Sequence, residues 1–256
     1  STSTRTSRER GKTMERTEFF QICKASFKQN GIEKYCSGYV LEKLYDLCEI
    51  FIEANKSMNL TAIRDERLVI SRHFADCLIP ADVFPVGATL LDVGSGGGFP
   101  SLPLAISRPD LKITALDATA KKTAFIKKAA ELLELTNVSV LTGRAEELAY
   151  SKMREIFDCV TARAVAQTNV LSELCAPFVK VGGIFVAMKG KKGEEELTQA
   201  ENAVNKLLLE TVSVDTGTLI DIDGEISERC TLIFKKTAST PMIYPRKYAQ
   251  IVKNPL

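Results

Sequence analysis

The residues best suited to chemistry lie in Leu90-Leu91-Asp92-Val93-Gly94-Ser95-Gly96-Gly97-Gly98-Phe99-Pro100, where an apolar run meets four glycines in five positions and then a proline. Glycines let a backbone turn sharply and approach a ligand with no Cβ in the way. Pro100 suits the first turn of a helix, where a missing N–H breaks no hydrogen bond. A strand, a glycine loop and a helix in that order form a nucleotide cradle. The dinucleotide fingerprint Gly-x-Gly-x-x-Gly/Ala fails, because its sixth position is Phe99 when counted from Gly94 and Ser101 when counted from Gly96. The phosphate-loop string ending in Gly-Lys-Ser/Thr is also missing.

What remains, Asp-x-Gly-x-Gly-x-Gly from Asp92 to Gly98, resembles the first motif of the Rossmann-like S-adenosylmethionine methyltransferases. In those enzymes the loop wraps the methionine and ribose end of the cofactor. Asp117 closes the next apolar run, 19 residues past Gly98. That is near the interval at which an acid reaches ribose hydroxyls, and one carboxylate can accept from both. A helix cap for 119–134 is the plainer reading of the same residue, and the two are compatible. Gly143-Arg144-Ala145-Glu146 offers a backbone N–H and a carboxylate suited to adenine, although Ala-Glu also begins ordinary helices. Arg163, at the end of the fourth apolar run, would face the ligand crevice of an open α/β sheet, where it could position cofactor or acceptor. A surface ion pair is the commoner fate of an arginine.

These residues need elements to hold them. From 17 to 79 the apolar residues recur at helical spacing, as in Val40, Leu41, Leu44, Leu47, Cys48 and Phe51. Beyond Thr89 short apolar runs alternate with helical stretches: 89–93 then 99–107, 112–117 then 119–134, 138–142 then 144–150, 156–161 then 168–180, 184–188 then 193–209. That alternation predicts a mostly parallel sheet covered on both faces. Runs at 211–220 and 229–235, joined by a short acidic turn, can pair only antiparallel. The expected fold is α/β and Rossmann-like: five parallel strands, a C-terminal antiparallel hairpin and an all-helical N-terminal segment. The expected divisions are a disordered leader or expression remnant at 1–13, the helical segment at 14–80, the cofactor domain at 81–236 and a basic tail at 237–256.

Composition narrows the chemistry. The chain has 256 residues, 45% hydrophobic and 26% charged, with a formal net charge of +2, which fits neither a disordered tail nor a polyanion-coating protein. His73 is the single histidine and the seven cysteines include no Cys-x-x-Cys pair, so a zinc site or a histidine triad lacks material and no metal is expected. The cysteines read as reduced core residues, which points to the cytoplasm. No run of 18 apolar residues occurs, so no membrane partner is expected. There is no Pro-Pro-aromatic string of the kind that receives an exocyclic amine. The Pro-Cys of pyrimidine C5 enzymes is missing too.

Over most of its length the chain resembles the bacterial ribosomal RNA small subunit methyltransferase G family, also called the glucose-inhibited division protein B family. The residues that carry the resemblance include Asn59-Leu60-Thr61-Ala62-Ile63, His73-x-x-Asp76, the glycine loop, Leu116-Asp117, Arg144-Ala145-Glu146-Glu147, Arg163-Ala164-Val165-Ala166, Lys189-Gly190 and Tyr244-Pro245-Arg246-Lys247. Ser101, Ala118, Lys122 and Tyr248-Ala249-Gln250 depart from the usual pattern. The resemblance implies transfer of a methyl group from S-adenosylmethionine to N7 of a guanine in 16S ribosomal RNA, free or in the 30S subunit. N7 has a free lone pair and loses no proton, so alignment replaces a general base. Gly94, Gly96, Phe99, Asp117, Ala145, Glu146 and Arg163 are the expected cofactor-binding residues. A small-molecule or protein methyltransferase of the same fold is the alternative, and a nicotinamide oxidoreductase or a cofactor-binding assembly factor stands further off.

RNA contact must come from local charge. Residues 235–256 carry Lys235, Lys236, Arg246, Lys247 and Lys253 with no acid, and Tyr244 and Tyr248 are available for stacking. Lys189, Arg246 and Lys247 are the expected RNA contacts, and the tail is expected to be separable from the cofactor site. Lys121, Lys122, Lys127 and Lys128 are the weaker candidates, since on a helix buried through Ala120, Ala124, Ile126, Ala129 and Leu133 they are more simply a solvated face.

Overall fold

The computed structural model describes residues 14–256; the leader expected at 1–13 lies outside the described residues. Two long helices open the chain, α1 (Arg16–Gln29) and α2 (Gly38–Met58), the second capped by the Ser37 hydroxyl. A continuous helical rod follows: α3 (Glu66–Val69), a π-helical stretch Ile70–Ala75 and α4 (Asp76–Leu78). The alternating part then runs β1 (Thr89–Val93), α5 (Ser101–Ser107), β2 (Lys112–Asp117), α6 (Ala120–Leu132), β3 (Val138–Thr142), α7 (Ala145–Leu148), β4 (Phe157–Arg163), α8 (Thr168–Cys175) and β5 (Val179–Gly190). The chain ends with α9 (Gly193–Gln199), α10 (Glu201–Lys206), β6 (Leu209–Ile220), β7 (Ile226–Lys236) and α11 (Tyr248–Lys253).

The seven strands form one sheet in the order β3-β2-β1-β4-β5-β7-β6. Strands β1 to β5 pair parallel, and β7 joins β5 antiparallel with β6 outside it, as the two kinds of connection require. The strand order reverses between β1 and β4, which opens the crevice where α/β sheets bind ligands. Asp92, Asp117, Gly143, Arg163 and Lys189 all fall at the carboxyl ends of their strands or just beyond, so the sheet delivers them to one edge.

Both faces of the sheet are covered, which is why its central strands read as unbroken apolar runs. One face packs with α1, α2, the helical rod, α5 and α6 in a cluster that holds Phe19, Phe51, Phe74, Leu102 and Ile126. The other holds Leu171, Phe178, Phe185, Val204 and Phe234. On α6 the buried face is Thr123, Phe125, Ile126, Ala129 and Ala130. Ala120 and Ala124, expected inside, are exposed, because the helix turns Thr123, Phe125 and Ile126 inward, with Phe125 against Phe51.

The turn between β6 and β7 latches onto the N-terminal helices. Asn30 exchanges two hydrogen bonds with the backbone of Ile220, at 2.9 and 2.8 Å. Arg72 pairs with the buried Asp221 at 2.6 Å and with Glu225 at 2.8 Å. The last strands of the sheet thereby fix the rod that carries His73 and Asp76.

Candidate functional site

The loop after β1 is tied to the end of β2. The amides of Gly94 and Ser95 both donate to the Leu116 carbonyl, at 2.8 and 2.9 Å. Gly94 has a φ of +75°, and a Cβ there would sit 2.7 Å from Val165 Cγ2, so only glycine fits this crossing without strain. Gly98 has a φ of +92°, and a Cβ there would sit 2.5 Å from Leu102 Cδ1. Asp92 turns into the core instead of toward solvent. Its Oδ2 accepts from the Ser101 hydroxyl at 2.6 Å and the Ser101 amide at 3.2 Å, while Oδ1 is buried with no partner. Burial pushes its pKa up to about 7, against the lowering effect of those hydrogen bonds. Ser101, which departs from the family's usual glycine, is therefore the residue that satisfies one of the two Asp92 oxygens.

A cleft of about 210 Å³ opens beside this loop, walled by Gly94, Asp117, Ala145, Glu146, Val165 and Tyr248 among others. Asp117 Oδ2 accepts from the Gly96 amide at 3.0 Å and Oδ1 from the Thr119 amide at 2.9 Å. The carboxylate thus fixes the loop and starts α6, and each oxygen keeps a lone pair for a ligand. Glu146 is oriented by Arg144 Nε at 2.7 Å, and the Arg144 guanidinium lies over the Tyr248 ring at 5.3 Å. Gly96 and Phe99 do not line the cleft. Gly96 acts on it through Asp117, and Phe99 lies beneath in an aromatic group.

Phe99 stacks on His73, with ring centroids 4.8 Å apart and planes 8° from parallel, and meets Phe51 edge to face at 4.9 Å. Arg163 lies over the same ring at 5.7 Å. The Arg163 guanidinium donates to Asp76 Oδ2 at 3.1 Å and to His73 Nδ1 at 3.1 Å. A guanidinium cannot accept, so Nδ1 is the acceptor, and the ring proton sits on Nε2, facing Thr61 Oγ1 at 3.0 Å. Burial, helped by the charge of Arg163, lowers the His73 pKa to about 3. His73 is therefore a neutral positioning group, with no proton to exchange near neutral pH. Asp76 also pairs with Arg229 at 2.6 Å, so one carboxylate spaces two arginines. The π-helical stretch lets Arg72, His73 and Asp76 reach their separate partners from one rod.

Arg163 itself lines a neighbouring cavity of about 480 Å³, at the ends of β4 and β5, and not the first cleft. The two share the Val165 wall. Sequence reasoning overlooked Val165, Arg229 and Glu196 as lining residues. Their only signal was position, Val165 just past β4, Glu196 on the helix after β5 and Arg229 near the start of β7.

The expected RNA contacts divide. Lys189 is almost fully buried, its Nζ 2.7 Å from Glu196 and 2.6 Å from the Ala166 carbonyl, which corrects its reading as a free cation. Arg246 is corrected too. Its guanidinium and amide grip the fully buried Glu173, the closest contact being 2.7 Å. Lys236 is buried against Glu155 at 2.7 Å, where loss of water lowers its pKa. Two of the tail's five cations, Lys236 and Arg246, are thus neutralised by acids of the body that no local pattern links to it. Lys247 is exposed, as are Lys191, Lys192, Lys121, Lys127 and Lys128. The tail is also not separable from the cleft, because Tyr248 forms part of its wall. No group of three or more His, Cys, Asp and Glu side chains suited to a metal ion occurs among the described residues.

With the cleft, the loop and the sheet order in place, comparison with known proteins is specific. Residues 40–219 match the model of a family described as rRNA small subunit methyltransferase G. The chain belongs to this family. A ribosomal RNA small subunit methyltransferase G of Lactobacillus acidophilus is 44% identical over 219 residues, 84% of this chain and 89% of that one. A Clostridium beijerinckii protein of the same name is 37% identical over 245 residues, 93% and 99% of the two chains. Among solved structures, an O-methyltransferase from Bacillus cereus in complex with SAH is similar in fold, with a TM-score of 0.52 and 17% identity over 74% of this chain and 90% of that one. Within the methyltransferase G family, the Asn59 to Ile63 and His73-x-x-Asp76 strings gain a physical meaning here. They build the support of Arg163.

Proposed function

We propose that this chain methylates N7 of a guanine in 16S ribosomal RNA, using S-adenosylmethionine, within the small ribosomal subunit. The observation that carries the reading is the convergence of the glycine loop, Asp117 and Glu146 on one cleft at the switch point, in a chain of the methyltransferase G family. The donor set suits an adenosine. Asp117 would accept from the ribose hydroxyls, Glu146 and the Ala145 amide would hold the adenine, and Gly94 would let the chain pass close to the sulfur end. Gly96 and Phe99 would serve from behind, as the tether of Asp117 and the platform of Arg163.

When bound, S-adenosylmethionine supplies a methyl group activated by a sulfonium. Attack by the guanine N7 lone pair would release no proton, so the chain's residues would have to hold donor and acceptor in line and none would need to accept a proton. The residue inventory agrees with a reaction that needs no base. His73 is neutral and engaged on both ring nitrogens. Burial raises the pKa of the cysteine thiols. What the chain contributes is alignment of donor and acceptor, with Arg163 held rigidly enough to position one of them. Lys247, Lys191 and Lys192 would supply the phosphate contacts, and the cytoplasm, where ribosomal RNA matures, would be the place of action. No described helix is long and apolar enough to cross a membrane.

The test is methyl transfer from labelled S-adenosylmethionine to small subunits and to free 16S RNA from cells lacking this protein, with the modified nucleotide mapped. One 7-methylguanosine in 16S RNA is the expected product. Methylation at another atom, or of small molecules alone, would reject the proposal.

A further inference from the structure

The cavity beyond Val165 holds an unusual pair of fixed groups. Glu196 Oε2 accepts from the amide and the hydroxyl of Thr168, both at 3.0 Å, and meets Lys189 Nζ at 2.7 Å. Three donors on one oxygen lock the carboxylate, and its Oε1 has no hydrogen-bond partner among the described residues. Arg163 is locked in the same way. Its terminal nitrogens are engaged by Asp76 and His73, while its Nε–H has no partner among the described residues. Both side chains line the one cavity, of about 480 Å³, a size suited to a small organic group. It therefore offers an immobile anionic acceptor together with an immobile cationic donor.

Guanine carries the matching pattern on adjacent atoms, with O6 as acceptor and N1–H and N2–H as donors. Adenine reverses it at both positions, with a donor at C6 and an acceptor at N1, so it would leave both fixed groups unpaired. We propose that this cavity receives the acceptor guanine, with Glu196 Oε1 accepting from N1–H and N2–H and Arg163 donating to O6. N7, on the side of O6 away from N1, is then left free of these contacts, and the Val165 wall shared with the cofactor cleft is the side from which a methyl group would reach it. Glu196 is thus the residue that selects the base, and Lys189 and Thr168 are its positioning residues. The inference rests on the guanine-N7 reading above and names the groups that enforce it.

The experiment compares guanosine with inosine, which lacks the 2-amino group, at the methylated position of reconstituted small subunits, for the wild type and for Glu196→Gln. Binding of S-adenosylhomocysteine is followed by calorimetry in both proteins. The wild type should prefer guanosine in kcat/KM by about 10- to 100-fold, the range of a hydrogen bond to a charged group. Glu196→Gln should lose most of that preference and keep the wild-type affinity for S-adenosylhomocysteine. A wild type indifferent to the 2-amino group, a variant with the full preference, or a variant that fails to bind S-adenosylhomocysteine would each overturn the proposal. The wild-type comparison needs no variant to fold. No methylation of either substrate by the wild type would instead reject the ribosomal RNA reading, and this inference with it.

Discussion

Asp92 occupies the start of the glycine loop with an inward carboxylate, one oxygen satisfied by Ser101 and the other buried without a partner. Its raised pKa has a definite consequence for stability. Between pH 3.8, its ordinary value, and about 7, the folded chain holds a proton that the unfolded chain has lost. Stability from this group therefore falls as pH rises through that window. Asp92→Asn should melt close to the wild type near pH 4 and should be more stable above pH 7 by on the order of 4 kcal/mol, as thermal melts across the range will show. His73 works in the opposite direction. It stays neutral in the fold down to about pH 3 and costs stability as pH falls below 6.5, so the difference between variant and wild type isolates Asp92. Asp117 answers to a different measurement. Asp117→Ala should weaken S-adenosylhomocysteine by about 10- to 100-fold in calorimetry, since charge-assisted hydrogen bonds to the ribose are lost and the Gly96 amide is released.

The glycine loop and the helical rod are the two elements on which the geometry turns. Gly94→Ala must place a Cβ at positive φ and against Val165. About 1–2 kcal/mol of stability should be lost, with cofactor affinity lowered, because the strained residue belongs to the cleft wall. Melting curves and calorimetry on the one variant check both effects. The rod matters through its π-helical stretch, which no periodicity announced. An α-helical register would carry His73 and Asp76 round to other faces, and Arg163 would lose its two anchors.

At the level of the whole chain, the C-terminal segment is a strap across the body. Arg246 seals the buried Glu173, and Tyr244 and Ile251 are inserted among apolar side chains. Arg246→Ala leaves a buried carboxylate without its partner, which costs about 3–5 kcal/mol and should lower the melting temperature by roughly 10 °C. A phosphate contact at the surface would produce no such loss. Removal of 241–256 should weaken S-adenosylhomocysteine binding several-fold in addition to any effect on RNA, because Tyr248 is part of the cleft wall. Equal affinity in the truncated and full-length chains would restore the view of the tail as an independent RNA arm.

By itself the sequence determined the parallel sheet with its closing hairpin and the loop from Asp92 to Gly98, and it singled out Asp117, Ala145 and Glu146, which line one cleft. Those features are local: periodicity, glycine spacing and short links act within a few residues, and the order of strand ends along one sheet edge follows from right-handed crossovers. Only the tertiary structure decided which charges are free. Lys189 and Arg246 read as available cations because their partners, Glu196 and Glu173, are 7 and 73 positions away in the chain and meet them only after folding. The support of Arg163 was equally hidden, since His73 and Asp76 are about 90 residues from it and reach it through a π-helical turn. Burial makes these distant pairings strong, because a charge removed from water must find its partner in the fold.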